Sequence, residues 1–230
     1  MPNVQRPKAV VFDLDGLLFN TEELYLEVGS ELMRRRGKEF TPELRKHTMG
    51  RPTHVSLGIM IEWHQLDATV ERLLVETDEI FKVILAERLA FMPGAAALLD
   101  ALPKAGVPMA LATSSRRSYA EYVLGRFELV PRFQFLLTAE DVTHGKPHPE
   151  IYQTAAARLG VSPGEMVVLE DSENGCRAAG AAGAIAVAVP AEHSREHDFS
   201  AARLVIDTLA DDRLYTLLDL PRAAQGMAAR

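Results

Sequence analysis

Six short apolar runs recur along the chain with helix-like segments between them, and this alternation limits what the chain can fold into more than any other feature. The first, Ala9-Val10-Val11-Phe12, has no polar residue on either side of a pleat, so both faces of that strand need covering. Similar runs follow at Val107 to Ala112, Phe133 to Leu137, Met166 to Leu169 and Ile185 to Val189, with a weaker one at Leu204 to Ile206. Helical stretches separate them at Gly94 to Leu102, Ser115 to Phe127, Pro149 to Leu159 and Glu173 to Ala182, several opened or closed by Pro or Gly. Strands alternating with helices read as βαβ units joined by right-handed crossovers. The expectation is an α/β fold whose core is a doubly wound, Rossmann-like parallel sheet.

The first two runs are too far apart for one crossover, because about 90 residues lie between Asp13 and Val107. Asn20 with Glu23 reads as a helix cap and its partner, and Leu24, Tyr25, Val28 and Leu32 then share one helical face until Gly37 stops the helix. Thr41-Pro42 opens a second helix. Val70, Leu73, Leu74, Thr77, Ile80, Phe81 and Ile84 follow a period close to 3.6 and mark a third, before Phe91-Met92-Pro93-Gly94 ends the insertion. Residues 21–89 are therefore expected to form an all-helical cap, and residues 1–20 with 90–230 the α/β core. The Ala-rich end, Arg222 to Arg230, is expected to fray.

Composition excludes several classes of function. At 47% hydrophobic over 230 residues the chain can bury a full core and is not disordered. With 25 basic and 32 acidic side chains the formal charge is −7, which argues against nucleic acid as a partner; Arg34-Arg35-Arg36 sits where a helix end would use it. The longest apolar run, Ala181 to Pro190, falls short of the ~20 residues that span a bilayer, and Met1 to Lys8 has no apolar signal region. A single cysteine, Cys176, fits a reducing compartment. A cytoplasmic monomer without nucleic-acid or membrane partners is expected.

Acidic residues follow two of the apolar runs. Asp13-Leu14-Asp15-Gly16 closes the first, and extended geometry sets its two carboxylates on one side; a plain turn would use the same residues. Glu170-Asp171 follows Met166 to Leu169 in the same way. If the first strand is central, with the second and third strands on one side and the fourth and fifth on the other, all four acids meet at the carboxyl edge where strand order reverses. Several hard oxygen ligands without a matching His or Cys cluster suit Mg²⁺. Thr113-Ser114-Ser115 reaches the same edge and reads either as an anion-binding turn, with Ser114 as a substrate contact, or as a helix cap. Lys146, in His144-Gly145-Lys146-Pro147-His148-Pro149, is either a solvated charge or the cation that offsets the carboxylates. Thr21 and Glu23 in the hinge, and Arg51 in the insertion, are candidates to contact a substrate, set against simple capping and a solvated Arg. His47, His54 and His64 show no metal-ligand spacing.

In this order the segments resemble the four motifs of the haloacid dehalogenase-like superfamily: Asp13-Leu14-Asp15-Gly16 the first, Thr113 the second, Lys146 the third and Glu170-Asp171 the fourth. The resemblance covers nearly the whole chain. A helical cap after the first motif is similar to the subgroup of β-phosphoglucomutase, phosphoglycolate phosphatase and pseudouridine-5′-phosphatase, the last most of all. The resemblance implies a Mg²⁺-dependent phosphatase of small phosphate monoesters such as nucleotide, sugar or polyol phosphates. It implies Asp13 as nucleophile, Asp15 as acid and base with its backbone carbonyl on the metal, Asp13 and Asp171 as carboxylate ligands, and Glu170 as a direct or water-mediated one. Thr113 and Lys146 would hold the phosphoryl oxygens. The alternatives are a phosphosugar mutase of the β-phosphoglucomutase type and a non-catalytic binding module. Tyr25 stands where the mutase has a histidine, which weakens the first, and all four motifs are present, which weakens the second.

Overall fold

The computed structural model describes residues 7–48, 51 and 53–221. The Ala-rich end, and the Met49-Gly50 and Pro52 neighbours of Arg51, lie outside the described residues. The chain divides into two compact units, one running up to Phe19 and resuming at Phe91, the other Asn20–Ala90.

In chain order the elements are β1 (Ala9–Phe12), α1 (Thr21–Arg34), α2 (Pro42–Thr48), α3 (Thr53–His64), α4 (Val70–Arg88), α5 (Ala95–Lys104), β2 (Met109–Ala112), α6 (Arg117–Gly125), β3 (Leu136–Leu137), α7 (Glu150–Leu159), β4 (Met166–Glu170), α8 (Glu173–Ala181), β5 (Ile185–Ala188), β6 (Leu204–Val205) and α9 (Asp212–Leu217). The strands form one sheet in the order β3-β2-β1-β4-β5-β6, every pairing parallel. This is the expected doubly wound core with β1 at its centre, and order reverses between β1 and β4. Each residue of β1, β2, β4 and β5 is buried, which explains why these strands read as uninterrupted apolar runs. At the sheet edge β6 is half exposed, and its signal is correspondingly faint.

One face of the sheet, through Val11, Ala110, Ala112, Val168 and Ala186, packs against Ile151, Tyr152 and Ala155 of α7 and Ala178 and Ala179 of α8. Alanines at these helix positions let the backbones approach the sheet closely, and Cys176 is buried beside them as a small apolar residue.

The second unit is all helical, with four helices where the sequence suggests three. The missing one, α3, carries Leu57, Ile59, Met60, Ile61 and Trp63 without a polar face, so its periodicity is blurred. Val28, Leu32 and Met33 of α1 meet Leu44, Leu57, Met60, Leu73 and Ile80 in its core. Gly37 ends α1 with φ of 63° as expected, and Thr41 Oγ1 accepts the Leu44 amide at the start of α2. The tri-arginine segment does more than end a helix: Arg34 and Arg35 bond Glu31, Arg36 pairs with Glu76 of α4, and Arg36 also caps the Leu32 carbonyl.

Asn20 departs from its expected role. It precedes α1 but makes no side-chain cap; its amide donates to the Arg88 carbonyl at 3.2 Å, and its Oδ1 accepts the Ala90 amide at 2.9 Å. With the Asn20 amide donating to the Ala90 carbonyl at 3.1 Å, the residue fastens the two ends of the insertion. Among the described residues no helix is long and apolar enough to cross a membrane.

Candidate active site

The sheet register brings the acidic residues together. Phe12 pairs with Leu169, and the Asp13 amide donates to the Leu169 carbonyl at 3.0 Å, so Asp13 leaves β1 alongside Glu170, the last residue of β4. On the other flank of β1, Thr113 follows β2 and its amide donates to the Leu137 carbonyl at 2.9 Å. Asp13, Thr113, Glu170 and Asp171 thus share the carboxyl edge at the reversal of strand order, and all four are buried.

Lys146 is the cation among them rather than a solvated charge. Its Nζ donates to Asp13 Oδ1 at 2.5 Å, Glu170 Oε1 at 2.6 Å and the Ala112 carbonyl at 3.0 Å, so all three ammonium protons are placed. Its side chain is 5% exposed, and the peptide bond to Pro147 is cis. Burial works against the charged amine, yet the Asp13 and Glu170 carboxylates outweigh it and hold Lys146 above its ordinary value. Asp13 moves up as well: burial dominates, Lys146 opposes it, and the carboxylates of Glu170, Asp171 and Asp15 add repulsion. The site carries more negative charge than one ammonium neutralises.

Glu170 has no exposed surface and is gripped throughout: beside Lys146, the Tyr152 hydroxyl donates to Oε1 at 2.5 Å, and Ser172 Oγ and amide donate to Oε2 at 2.9 and 3.4 Å. Gly175 is required here, since a Cβ at that position would overlap the Glu170 carboxylate. Gly16 is constrained twice, by φ of 73° and by the Asp171 carboxylate that a Cβ would strike. Asp171 also accepts a hydrogen bond from His193 Nε2 at 2.8 Å.

The Asp15 carboxylate is bonded away from this cluster. Ser115 Oγ donates to Oδ2 at 2.6 Å, and the Tyr119 hydroxyl on α6 donates to Oδ1 at 3.0 Å. Thr113 Oγ1 accepts the Ser115 amide at 3.0 Å, a turn inside the loop after β2; it does not cap α6, whose N-cap residue Arg116 makes no side-chain cap. Ser114 is exposed, and Ser115 is the serine that meets a site residue. Thr21 is the buried first residue of α1, Glu23 lies exposed in its first turn, and Arg51 is exposed beyond α2; all three belong to the helical unit.

Tyr119, Tyr152, Ser172 and His193 escape a reading of motifs, and Ser115 is legible only as part of the Thr113-Ser114-Ser115 turn. Tyr152 sits on the apolar face of α7 and passes for core, and Tyr119 and His193 reach their carboxylates from distant turns of chain. Only a polar tip on a buried helix face, in the case of Tyr152, could have flagged one of them.

Oxygen atoms of Asp13, Glu170 and Asp171 lie within 4.8 Å of one another, with no His or Cys ligand among them. A hard, buried, all-carboxylate donor set with surplus negative charge fits Mg²⁺. Because Glu170 already accepts from four protein donors, Asp13 and Asp171 are the carboxylates better placed to bind an ion.

Comparison with known proteins bears on what such an edge does. The sequence model of the haloacid dehalogenase-like hydrolases matches residues 10–189. A phosphorylated carbohydrates phosphatase of Thermotoga maritima is 35% identical over 76% of this chain and 82% of its own. A Drosophila melanogaster protein described as a probable pseudouridine-5′-phosphatase is 35% identical over 87% of this chain and 89% of its own. The crystal structure of a hydrolase from Deinococcus radiodurans with bound phosphate and sodium superposes with a TM-score of 0.80 at 28% identity, covering 95% of this chain and all of that one.

Proposed function

Because the chain belongs to the haloacid dehalogenase-like hydrolase family, we propose that it is a Mg²⁺-dependent phosphatase of small phosphate monoesters, working through a phosphorylated Asp13. The observation that carries this reading is the Asp13 carboxylate, buried at the carboxyl end of the central strand and held by Lys146 beside Asp171 and Glu170. Relatives named as phosphatases of carbohydrate and pseudouridine phosphates, and the phosphate bound to the Deinococcus hydrolase, support the substrate class.

In this mechanism an Asp13 oxygen attacks phosphorus while the ester P–O bond breaks, and Asp15 gives its proton to the leaving alcohol. Water then attacks the aspartyl phosphate; Asp15 takes the proton, inorganic phosphate departs and the Asp13 carboxylate is restored. Lys146 and the Thr113 hydroxyl hold phosphoryl oxygens against the developing charge, and Glu170 with Tyr152 keeps the ammonium aimed. Mg²⁺ held by Asp13, Asp171 and the Asp15 carbonyl would supply the remaining positive charge and polarise the phosphoryl group. Ser115 and Tyr119 fix the orientation of the Asp15 carboxylate through its two oxygens. Thr21, Glu23, Ser114 and Arg51 remain proposed substrate contacts. The proposed setting is the cytoplasm, a reading the single cysteine supports, and the proposed state a monomer.

A phosphate-release screen over phosphorylated metabolites, with Mg²⁺ and with excess EDTA, tests the reading. Mg²⁺-dependent release is expected from at least one nucleotide, sugar or polyol phosphate, and Asp13→Asn should abolish it while the circular dichroism spectrum stays unchanged. Full activity in EDTA, or more than a few per cent of the rate in Asp13→Asn, would overturn it. A mutase reading gains nothing from Tyr25, whose ring stacks on Phe81 with centroids 4.5 Å apart.

A further inference from the structure

The loop that delivers Lys146 carries a second set of ligating side chains, outside the acidic cluster and on the solvent side. His144 and His148 stand two residues before and two after Lys146, and Glu150 opens α7 just beyond. One nitrogen of each imidazole and one Glu150 oxygen lie within 4.8 Å of one another. The two rings are neighbours, with centroids 4.5 Å apart.

Two features organise this group before any ion arrives. The His148 amide donates to the Gly145 carbonyl at 3.0 Å, and that turn brings the two histidines to one side of the loop. Glu150 is fixed from below, where the Thr143 amide donates to Oε1 at 2.7 Å and the His144 amide to Oε2 at 2.9 Å. Its carboxyl is held down at about 2, first by the Thr143 amide and next by His144, so it is an anion at neutral pH. The imidazoles, by contrast, are half or more exposed and can turn: His144 Nδ1 is 3.0 Å and His148 Nδ1 3.8 Å from Glu150 Oε2.

We propose that His144, His148 and Glu150 form a binding site for a borderline divalent cation, Zn²⁺ above all, on the loop that positions Lys146. Two imidazoles and one carboxylate match the ligand preferences of Zn²⁺ and not those of Mg²⁺, which takes oxygen and keeps its waters. Ligand atoms around a tetrahedral Zn²⁺ sit about 3.3 Å apart, as its Zn–N lengths of about 2.0–2.1 Å require. Small rotations of the two exposed rings close the present spacing to that value while the anchored carboxylate stays put. On binding, the ion replaces the contact between His144 Nδ1 and Glu150, both imidazoles coordinate in their neutral form, and water completes the coordination. The bound cation links both ends of the segment from which Lys146 reaches inward. The site stands independently of the phosphatase reading.

Metal-stripped protein is titrated with Zn²⁺ against a chromogenic chelator in excess Mg²⁺, added to compete for the carboxylate cluster. One equivalent of Zn²⁺ should bind to the wild type, and Asp13→Asn should bind it equally well. A variant combining His144→Gln with His148→Gln should bind at least about tenfold more weakly, the least that a lost ligand costs if supporting residues already cost that much. Ring-proton resonances of His144 and His148 in the wild type should shift with the same stoichiometry, a readout that does not depend on how the variant folds. No Zn²⁺ binding in excess Mg²⁺, unshifted ring protons, or equal affinity in the double variant would each overturn the proposal.

Discussion

Lys146 spends all its donors inside the protein, on Asp13, Glu170 and the Ala112 carbonyl, which makes it a structural part of the site; in the proposed reaction it would exchange its bond to Asp13 for one to a phosphoryl oxygen. Lys146→Met would leave two buried carboxylates without their cation. Removing one partner of a buried pair typically costs 3–5 kcal/mol, so urea denaturation of the Mg²⁺-free variant should show a loss of about 3 kcal/mol. Phosphate release should fall about 10²–10³-fold, as for other lost donors to a developing charge. Asp15→Asn tests a different step. If Asp15 is the general acid, as proposed, it matters most where the leaving alkoxide is a strong base, so hydrolysis of an alkyl phosphate should drop about 10²–10⁴-fold. Release from p-nitrophenyl phosphate, whose leaving group needs no proton, should drop much less; equal losses would remove the acid role. The four acids, Thr113 and Lys146 could be picked out from the sequence because each follows a strand or a Gly/Pro turn. Their supports could not, because Tyr119, Tyr152 and His193 are assigned by tertiary contact, and an aromatic or a lone histidine looks the same whether it packs or holds a carboxylate.

Elements divide along the same line. Strands buried on both faces leave an unambiguous apolar trace, and α1 and α4 show their period because each has one polar side. In α3 apolar residues spread around the whole circumference, so nothing in its sequence marks a face. The packing of the helical unit still gives a sharp expectation for Leu73, fully buried among Val28, Leu32, Leu44 and Met60. Leu73→Ala should destabilise that unit by about 2–5 kcal/mol. Hydrogen exchange should show the loss in amides of α1 and α4, with protection in β1 and β4 retained; uniform loss over both units would mean that they unfold as one.

At the scale of the molecule, the surplus of buried carboxylates couples cation binding to folding. An ion that binds only the folded state stabilises it by about 2.7 kcal/mol at a hundred times its dissociation constant. The thermal midpoint should therefore rise with Mg²⁺, and Ca²⁺, which prefers longer and more numerous contacts, should raise activity far less. Asp171→Asn should flatten the Mg²⁺ response of the midpoint. A variant that responds as fully as the wild type would show that the ion binds elsewhere.

The clasp formed by Asn20 and Ala90 has a consequence for how such a chain can change over time. Phe19 and Phe91 bridge in antiparallel fashion just before and after it, so a detour of some 70 residues leaves and rejoins the sheet-bearing unit at adjacent points. The entropy of closing the detour is met at its neck, wherever its helices lie. Beyond that point, doubling its length costs only about 0.6 kcal/mol more. Helices between Asn20 and Ala90 can therefore be lengthened, exchanged or remodelled with little penalty to β1 and β4, leaving the carboxylates at their ends in register while the helical insert is free to diverge.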